Sequence, residues 1–334
     1  MATNKNILLI GNGSWATAIA KLLIENLKES VSISWYFRNV SDADFIIANK
    51  RNNQYLTTVK FDIDKVKIIT DINEGLSYSE IIFVAIPSAF FVDEFDKINI
   101  DISSKFFVSG IKGIIPEKNL LISEYLNQEF NVPFKSFALL SGPCHAEEIA
   151  MERLSYLTIA SQDLYNAEYV AHLIDTSFLK TSISNDIFGK EYASILKNIF
   201  ALASGICDGL GYGDNFQAVL ISNALQEMKR FVNTIHPIER DIKNTAYLGD
   251  LLVTAYSKFS RNRTFGQMIG KGYSAKATQL EMNMIAEGYY ATKSVFQINK
   301  KYNIYMPILN AVYNILYNNQ PPSFEIKLLT DKLR

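Results

Sequence analysis

Cysteine is scarce in this chain: two, Cys144 and Cys207, stand among 334 residues. They lie in unrelated contexts, which argues against a disulfide scaffold and fits a reducing compartment. Histidine is almost as thin. His145, His172 and His236 show no ligand spacing, so no metal site is expected. Charge of one sign is missing too. Against 33 Lys and Arg stand 34 Asp and Glu, a net charge of -1, with both signs interspersed. That leaves no bulk field to draw nucleic acid or an anionic membrane, and any anion must be met by a local grouping. Long apolar runs are absent as well: the longest, IIFVAIPSAFFV from Ile81, is too short to span a bilayer and contains Pro87. The start lacks a charged segment followed by an apolar core, because NILLI turns straight into glycines. The expectation is a cytoplasmic protein with no nucleic-acid partner and no stable membrane insertion. The sequons at Asn12 and Asn39 are then chance matches.

What is present is apolar substance, 48% of residues, enough for one large domain or, better, two with separate cores. Up to about residue 185 short apolar runs alternate with helix-like stretches. Ile7 to Ile10, Val31 to Phe37, Val66 to Ile69, Ile81 to Ile86, Phe106 to Ser109, Phe137 to Leu140 and Leu157 to Ala160 read as strands, several without polar alternation. Strands buried on both faces with helices between them indicate an α/β fold with a mostly parallel, doubly wound sheet. From Asp186 onward the strand signals stop and helical periodicity takes over, broken by glycines at 208–213, 249 and 270–272. The expected organisation is therefore an α/β domain over 1–185 and an all-α domain over 186–334.

The first run opens ILLIGNGSWATAIAKLL, a strand, a glycine turn and a helix with G-x-G-x-x-A at Gly11, Gly13 and Ala16. The chemistry of such a turn is a tight bend at Gly11, close backbone approach to a pyrophosphate at Gly13, and close helix-to-strand packing at Ala16. The string is weak alone; between a strand and an amphipathic helix it is in the context a dinucleotide site requires. The second strand ends in Arg38 rather than in the acid that would hold the ribose of NAD. Arg38 is either a solvated arginine or a cation for the 2′-phosphate, and the second reading gives NADPH preference over NADH.

Farther on, KEYASILKNIFALASG carries Lys197 in the middle of an apolar helix. Its neighbours on the helix surface are Lys190, Ala193, Ser194, Phe200, Ala201 and Ser204, mostly small, while Ile195, Leu196, Ile199 and Leu202 lie largely on the other side. A shallow strip of this kind fits a ligand, or a boundary lysine reaching for water. The next segment, GICDGLGYGDN, has four glycines between 205 and 213, which suits a loop bending close to a ligand. A partly desolvated lysine has a lowered pKa and can donate a proton near neutrality, as carbonyl reduction requires. Cys144 beside His145 does not make a thiol nucleophile, since adjacent side chains seldom reach one another.

Taken together, GNGSWATAIA, VAIPS, GIKGI, LSGPCHAEE, LKNIFALASGICDGLGYGDN, LGDLLVT, SRNRTFG and AEGYYATK resemble, in order and over almost the whole chain, the NAD(P)-dependent glycerol-3-phosphate dehydrogenases of bacterial type. The resemblance implies a Rossmann domain plus an α-helical domain. It also implies reversible reduction of dihydroxyacetone phosphate to sn-glycerol 3-phosphate with NADP, or with NAD, as cofactor, supplying glycerophospholipid synthesis. A homodimer is the expected assembly. Lys197 is implied as the proton donor or acceptor, and Lys112 as a contact to substrate and cofactor. Gly142, Cys144, Asp250, Ser260, Arg261 and Asn262 join Lys112 and Lys197 at the substrate. Cofactor contacts are implied at Gly11, Gly13, Ser14, Trp15, Phe37, Arg38, Lys112, Ala146, Arg261, Ile285 and Glu287. Read without the resemblance, Asp250 is the N-cap of the helix that follows it, Lys112 an exposed loop lysine, and Arg261 part of a basic helix end. The chain departs from the pattern at NTAYLGD, at Asn223 and at Phe37, positions that bear on local geometry and on the adenosine end. Two rivals are a related two-domain hydroxy-acid dehydrogenase, for which the SRN block has no use, and a non-catalytic NADP-binding sensor, for which Lys112, Lys197 and Asp250 have none.

Overall fold

A computed structural model of the chain describes residues 5–26, 31–282 and 286–334. The chain divides into two compact units. The sheet unit comprises the residues up to Ile111 and Ile122–Ile187, and the helical unit comprises Lys112–Leu121 and Phe188–Arg334.

Eight strands make up the sheet: β1 (Ile7–Ile10), β2 (Ile33–Tyr36), β3 (Val66–Ile69), β4 (Ile81–Val84), β5 (Phe106–Ser109), β6 (Phe137–Ser141), β7 (Ser155–Ser161) and β8 (Leu179–Ser184), in the spatial order β3-β2-β1-β4-β5-β6-β7-β8. All neighbours are parallel except β6 and β7. Residues of β1 face β2 on one side, Ile7 against Ile33, and β4 on the other, Ile7 against Ile81. All four residues of β1 and of β4 are buried, as a parallel sheet covered on both faces demands. Strand order reverses between β1 and β4. In open α/β sheets that switch point, at the carboxyl ends of the strands, is where a ligand finds a crevice.

Nothing in the sequence pattern marks β8. Its residues LKTSIS carry the burial of an edge strand, with only Leu179 fully covered, so it has no apolar run to betray it. Backbone pairing with β7, from Ser155 against Leu179 to Ala160 against Ser184, holds it instead.

The helical unit is built around a 23-residue helix, Ile187–Gly209, whose apolar residues Ile195, Leu196, Ile199, Phe200, Leu202 and Ile206 are all fully buried. The segment Lys112–Leu121 goes with this unit rather than with the sheet because Ile114 and Leu121 pack into its core. Helix Pro307–Tyr317 starts with proline, whose missing N–H costs nothing there. Its next two N–H groups donate to Glu227, 2.5 Å from Ile308 N and 3.3 Å from Leu309 N. Burial pushes the Glu227 carboxyl up to about 8 despite those two bonds. Asn223 is similarly occupied: its amide donates to the Arg334 carbonyl at 2.9 Å and accepts from the Arg334 N–H at 3.2 Å. Among the described residues no helix is long and apolar enough to cross a membrane.

Candidate active site

In the sheet unit the two glycines of the opening turn differ in what they do. Gly11 has φ +119°, and a Cβ there would lie 2.6 Å from the Ala85 carbonyl oxygen. Only glycine suits a backbone in that region and at that distance. Its own carbonyl accepts the Trp35 indole N–H at 2.6 Å. Gly13 has an ordinary φ of -72°, and a Cβ added to it would meet nothing within 4 Å. It N-caps the helix Ser14–Glu25, which has no side-chain cap and no acid in its first turn. A glycine kept where the protein itself leaves room, before an uncapped helix, fits a diphosphate cradle. Asn52 braces the turn, donating to the Asn12 carbonyl at 2.8 Å and to the Thr17 hydroxyl at 3.0 Å. That hydroxyl in turn donates to the Gly13 carbonyl at 2.9 Å. Ser14 and Trp15 are half-buried. The Trp15 indole lies against the end of β5, where a Cβ on Gly110 would come within 2.4 Å of its nitrogen.

At the end of β2 the Phe37 ring is 1% exposed and 4.9 Å from the Trp35 ring. Its side chain belongs to the core, so only its main chain is left for a cofactor, which narrows what the sequence expected of it. Arg38 is exposed, with its guanidinium 5.4 Å from the Phe90 ring centre and 3.8 Å from Glu94 Oε1. Glu94 is buried and accepts the Tyr36 hydroxyl and the Lys97 ammonium, both at 2.9 Å. Burial, helped by that carboxylate, pushes the Tyr36 phenol well above its ordinary value. Beyond β6, Gly142 has φ +128°, Cys144 is 6% exposed, and His145 N-caps the short helix Ala146–Ala150.

In the helical unit three charged groups converge. Lys197 Nζ donates to Asp250 Oδ1 at 2.5 Å, and Lys112 Nζ lies 3.9 Å from Asp250 Oδ2. Lys197 and Asp250 are 4% and 1% exposed. Oδ2 of Asp250 is buried and has no hydrogen-bond partner. Desolvation pushes the Lys197 ammonium from 10.5 down to about 7. Asp250 pulls the other way, and Lys112 adds to the depression. Asp250 therefore does not cap its helix as the bare sequence reading had it. The N-cap of helix Asp250–Tyr256 is Gly249, after a π-helical turn Thr245–Gly249, and the carboxylate is spent on lysine. Asn198, next to Lys197, donates to the Lys112 carbonyl at 2.7 Å, tying the Lys112 segment to the lysine helix.

Ser260 N-caps the helix Arg261–Gly270 and accepts from Arg263 N at 3.2 Å. Arg261, first residue of that helix, is exposed. Asn262 is 8% exposed, and its carbonyl oxygen accepts from Gly288 N at 2.8 Å. Glu287 opens the helix Glu287–Tyr302. Ile285 lies outside the described residues. Thus Lys112, Lys197 and Asp250 come together, while Asn262 and Gly288 join the neighbouring helices by one hydrogen bond.

The glycine-rich segment 205–213 is only partly a loop: Gly211 and Gly213 lie in the turn between two helices. Gly205 and Gly209 are helical, not part of a ligand loop. A Cβ on Gly205 would sit 2.0 Å from the Arg263 carbonyl oxygen, and one on Gly266 2.2 Å from that of Leu202. Gly209 and Gly270 meet Gln267 and Ile206 carbonyls in the same way, at 2.3 Å. Two helices cross backbone to backbone here, with Asp208 accepting Gln267 Nε2 at 2.7 Å and pairing with Arg263 at 3.1 Å. The recurrence of glycine four residues apart in both helices was the available signal. The small strip beside Lys197 is also partly filled by protein, since Ser204 bonds Gln217 at 2.9 Å and the Ala255 carbonyl at 3.1 Å. Asn198 and Asn52 carried no such signal, because their partners are distant in the chain.

A doubly wound sheet with an uncapped glycine turn, and a helical unit with a buried lysine-carboxylate-lysine group, define the class of two-unit NAD(P)-dependent dehydrogenases. Within that class the match is specific. The family model for the NAD-dependent glycerol-3-phosphate dehydrogenase N-terminus matches residues 6–167, and that for the C-terminus residues 186–327. Glycerol-3-phosphate dehydrogenase [NAD(P)+] of Bacillus subtilis is 37% identical over 321 residues, covering 95% of this chain and 91% of its own. The protein of that name from Chlorobium limicola is 33% identical over 318 residues, covering 95% and 94%. The crystal structure of glycerol-3-phosphate dehydrogenase from Coxiella burnetii superposes with a TM-score of 0.87 at 28% identity, covering 98% of this chain and 99% of that one. The chain belongs to the NAD-dependent glycerol-3-phosphate dehydrogenase family.

Proposed function

We propose that the protein catalyses the reversible NAD(P)H-dependent reduction of dihydroxyacetone phosphate to sn-glycerol 3-phosphate. Its setting is the cytoplasm, its assembly a homodimer, and its product feeds glycerophospholipid synthesis. Residues 1–185, apart from Lys112–Leu121, which belong to the helical unit, serve mainly the cofactor, and 186–334 mainly the substrate. The observation that carries the chemistry is Lys197, buried against Asp250 and pushed down to about 7, a proton donor matched to neutral pH.

Bound NADPH or NADH supplies the hydride that reduces C2. Gly11, Gly13, Ser14 and Trp15 hold its diphosphate, and Arg38 with the main chain of Phe37 meets its adenosine end. Ala146, Glu287, Ile285, Lys112 and Arg261 complete the cofactor contacts. Lys197 Nζ delivers its proton to the substrate C2 oxygen, and Asp250 Oδ1 fixes the direction in which it does so. Lys112 adds a second positive charge for the developing alkoxide. Asp250 Oδ2, buried and without a hydrogen-bond donor, accepts a substrate hydroxyl. Ser260, Arg261 and Asn262 grip the phosphate through a guanidinium fork, a hydroxyl and an amide, while Gly142 and Cys144 line the substrate's edge. Remote binding energy at the phosphate is thereby spent on orienting the reacting carbon. A hydroxy-acid substrate leaves that grip without a task.

The test follows NADPH and NADH oxidation by purified protein with dihydroxyacetone phosphate and with its unphosphorylated analogue. The expected result is turnover that depends on the phosphate. Equal rates with both substrates would overturn the substrate assignment.

A further inference from the structure

The sheet unit holds a second charged group at the adenosine end that the motif does not contain. Asp42 stands in the first turn of helix Val40–Asn49, four residues past Arg38, and is 9% exposed. Its Oδ2 accepts from the Asn12 amide at 3.1 Å and the Asn39 amide at 3.3 Å, and its Oδ1 from the Asn53 amide at 2.6 Å. Asn12 is the middle residue of the turn between Gly11 and Gly13. The carboxylate therefore bridges the glycine turn and the turn after β2, the two walls between which the ribose of a dinucleotide lies in doubly wound folds. Among the described residues Asp42 has no ion pair. Three amides satisfy its lone pairs and none cancels its charge.

We propose that Asp42 sets the cofactor preference of this enzyme by opposing the 2′-phosphate that Arg38 attracts. The inference rests on the cofactor site proposed above. A buried charge acts through a low effective dielectric, so it is felt by an anion several ångströms away. NADPH carries the extra phosphate there and NADH does not, so the Asp42 charge costs the first and spares the second. Arg38 acts in the opposite sense, with part of its charge engaged by Glu94 at 3.8 Å. The two residues together leave both cofactors usable, and their balance fixes the ratio.

The experiment is a fluorescence titration of the full chain with NADPH and with NADH, repeated on Asp42→Asn and Asn12→Ala, with steady-state kinetics alongside. Asp42→Asn should raise the ratio of NADPH to NADH affinity about fivefold or more, with kcat at saturating cofactor and KM for dihydroxyacetone phosphate unchanged. Asn12→Ala keeps the carboxylate with one screening amide fewer, so it should move the ratio toward NADH. It also keeps the inference testable should Asp42→Asn not fold. If either variant loses affinity for both cofactors equally, Asp42 is only a brace for the turn and the inference fails alone. If the wild-type chain binds neither cofactor, the parent reading fails with it.

Discussion

In the sheet unit β1 and β4 bury four apolar side chains each, whereas the central helix of the helical unit buries Lys190, Glu191, Ser194, Lys197, Asn198 and Ser204 within one run. The sheet unit offers a ligand its main chain, bent at Gly11 and left open at Gly13. The helical unit offers charged side chains kept out of water. The first solution costs little and discriminates by shape. The second is expensive, since a buried charge must be matched by another, and it yields groups with altered acidity. On the proposed assignment cofactor grip and proton transfer rest on different physics, and mutations in the two units should fail in different ways.

The largest break is expected at Lys197. Lys197→Met should lower kcat by about 10²–10⁴-fold, the usual cost of a positioned acid, with circular dichroism and cofactor binding unaltered; near-normal turnover would remove it from the chemistry. Next comes Arg261→Ala: if Arg261 grips the phosphate as proposed, the lost charge-assisted bonds, worth about 1.5–3 kcal/mol, should raise KM for the phosphorylated substrate roughly 10- to 100-fold. An unchanged KM would show that the phosphate is held elsewhere.

Glycine-to-alanine pairs sharpen the contrast. Gly205→Ala puts a methyl 2.0 Å from a backbone oxygen, an overpacking that should cost about 1–3 kcal/mol in denaturant melts. Gly13→Ala meets nothing within 4 Å, so the melt should stay put while cofactor affinity falls. The reverse pattern would mean that the open space at Gly13 is not the cradle. The smallest effect is a shift of a pH profile. Asp250 raises the Lys197 pKa, so Asp250→Asn should move the alkaline limb for reduction to lower pH, besides weakening substrate binding.

Much of this was legible in the sequence where structure follows from local pattern. Apolar runs marked seven of the strands, the glycine turn announced itself between strand and helix, and Lys197 stood out among Ile195, Leu196 and Ile199. The illegible parts depend on partners remote in the chain. Asp250 is 53 residues from the lysine it pairs with and reads locally as a cap. Asn198 reaches back 86 residues to the Lys112 carbonyl. Of the glycines after Lys197, Gly211 and Gly213 do form a turn, while Gly205 and Gly209 read as loop because only the second helix, with Gly266 and Gly270, explains them as a crossing. β8 is polar and held by backbone pairing, so composition could not reveal it.

Protonation of Lys197 also sets a sign for stability. With the folded value near 7 and the ordinary one at 10.5, the unfolded chain binds the extra proton between them. This group therefore weakens the fold below about 7, and the penalty is relieved as pH rises toward 10.5.

The role of Lys197 is read most directly from the pH dependence of kcat/KM for dihydroxyacetone phosphate reduction, which reports the acid in the free enzyme. With Lys197 as the donor the rate should hold below about pH 7 and fall tenfold per pH unit above it, with the opposite limb for glycerol 3-phosphate oxidation. A profile flat from well below that value to well above it, or one whose alkaline limb persists in Lys197→Met, would contradict the assignment of Lys197 as the proton donor.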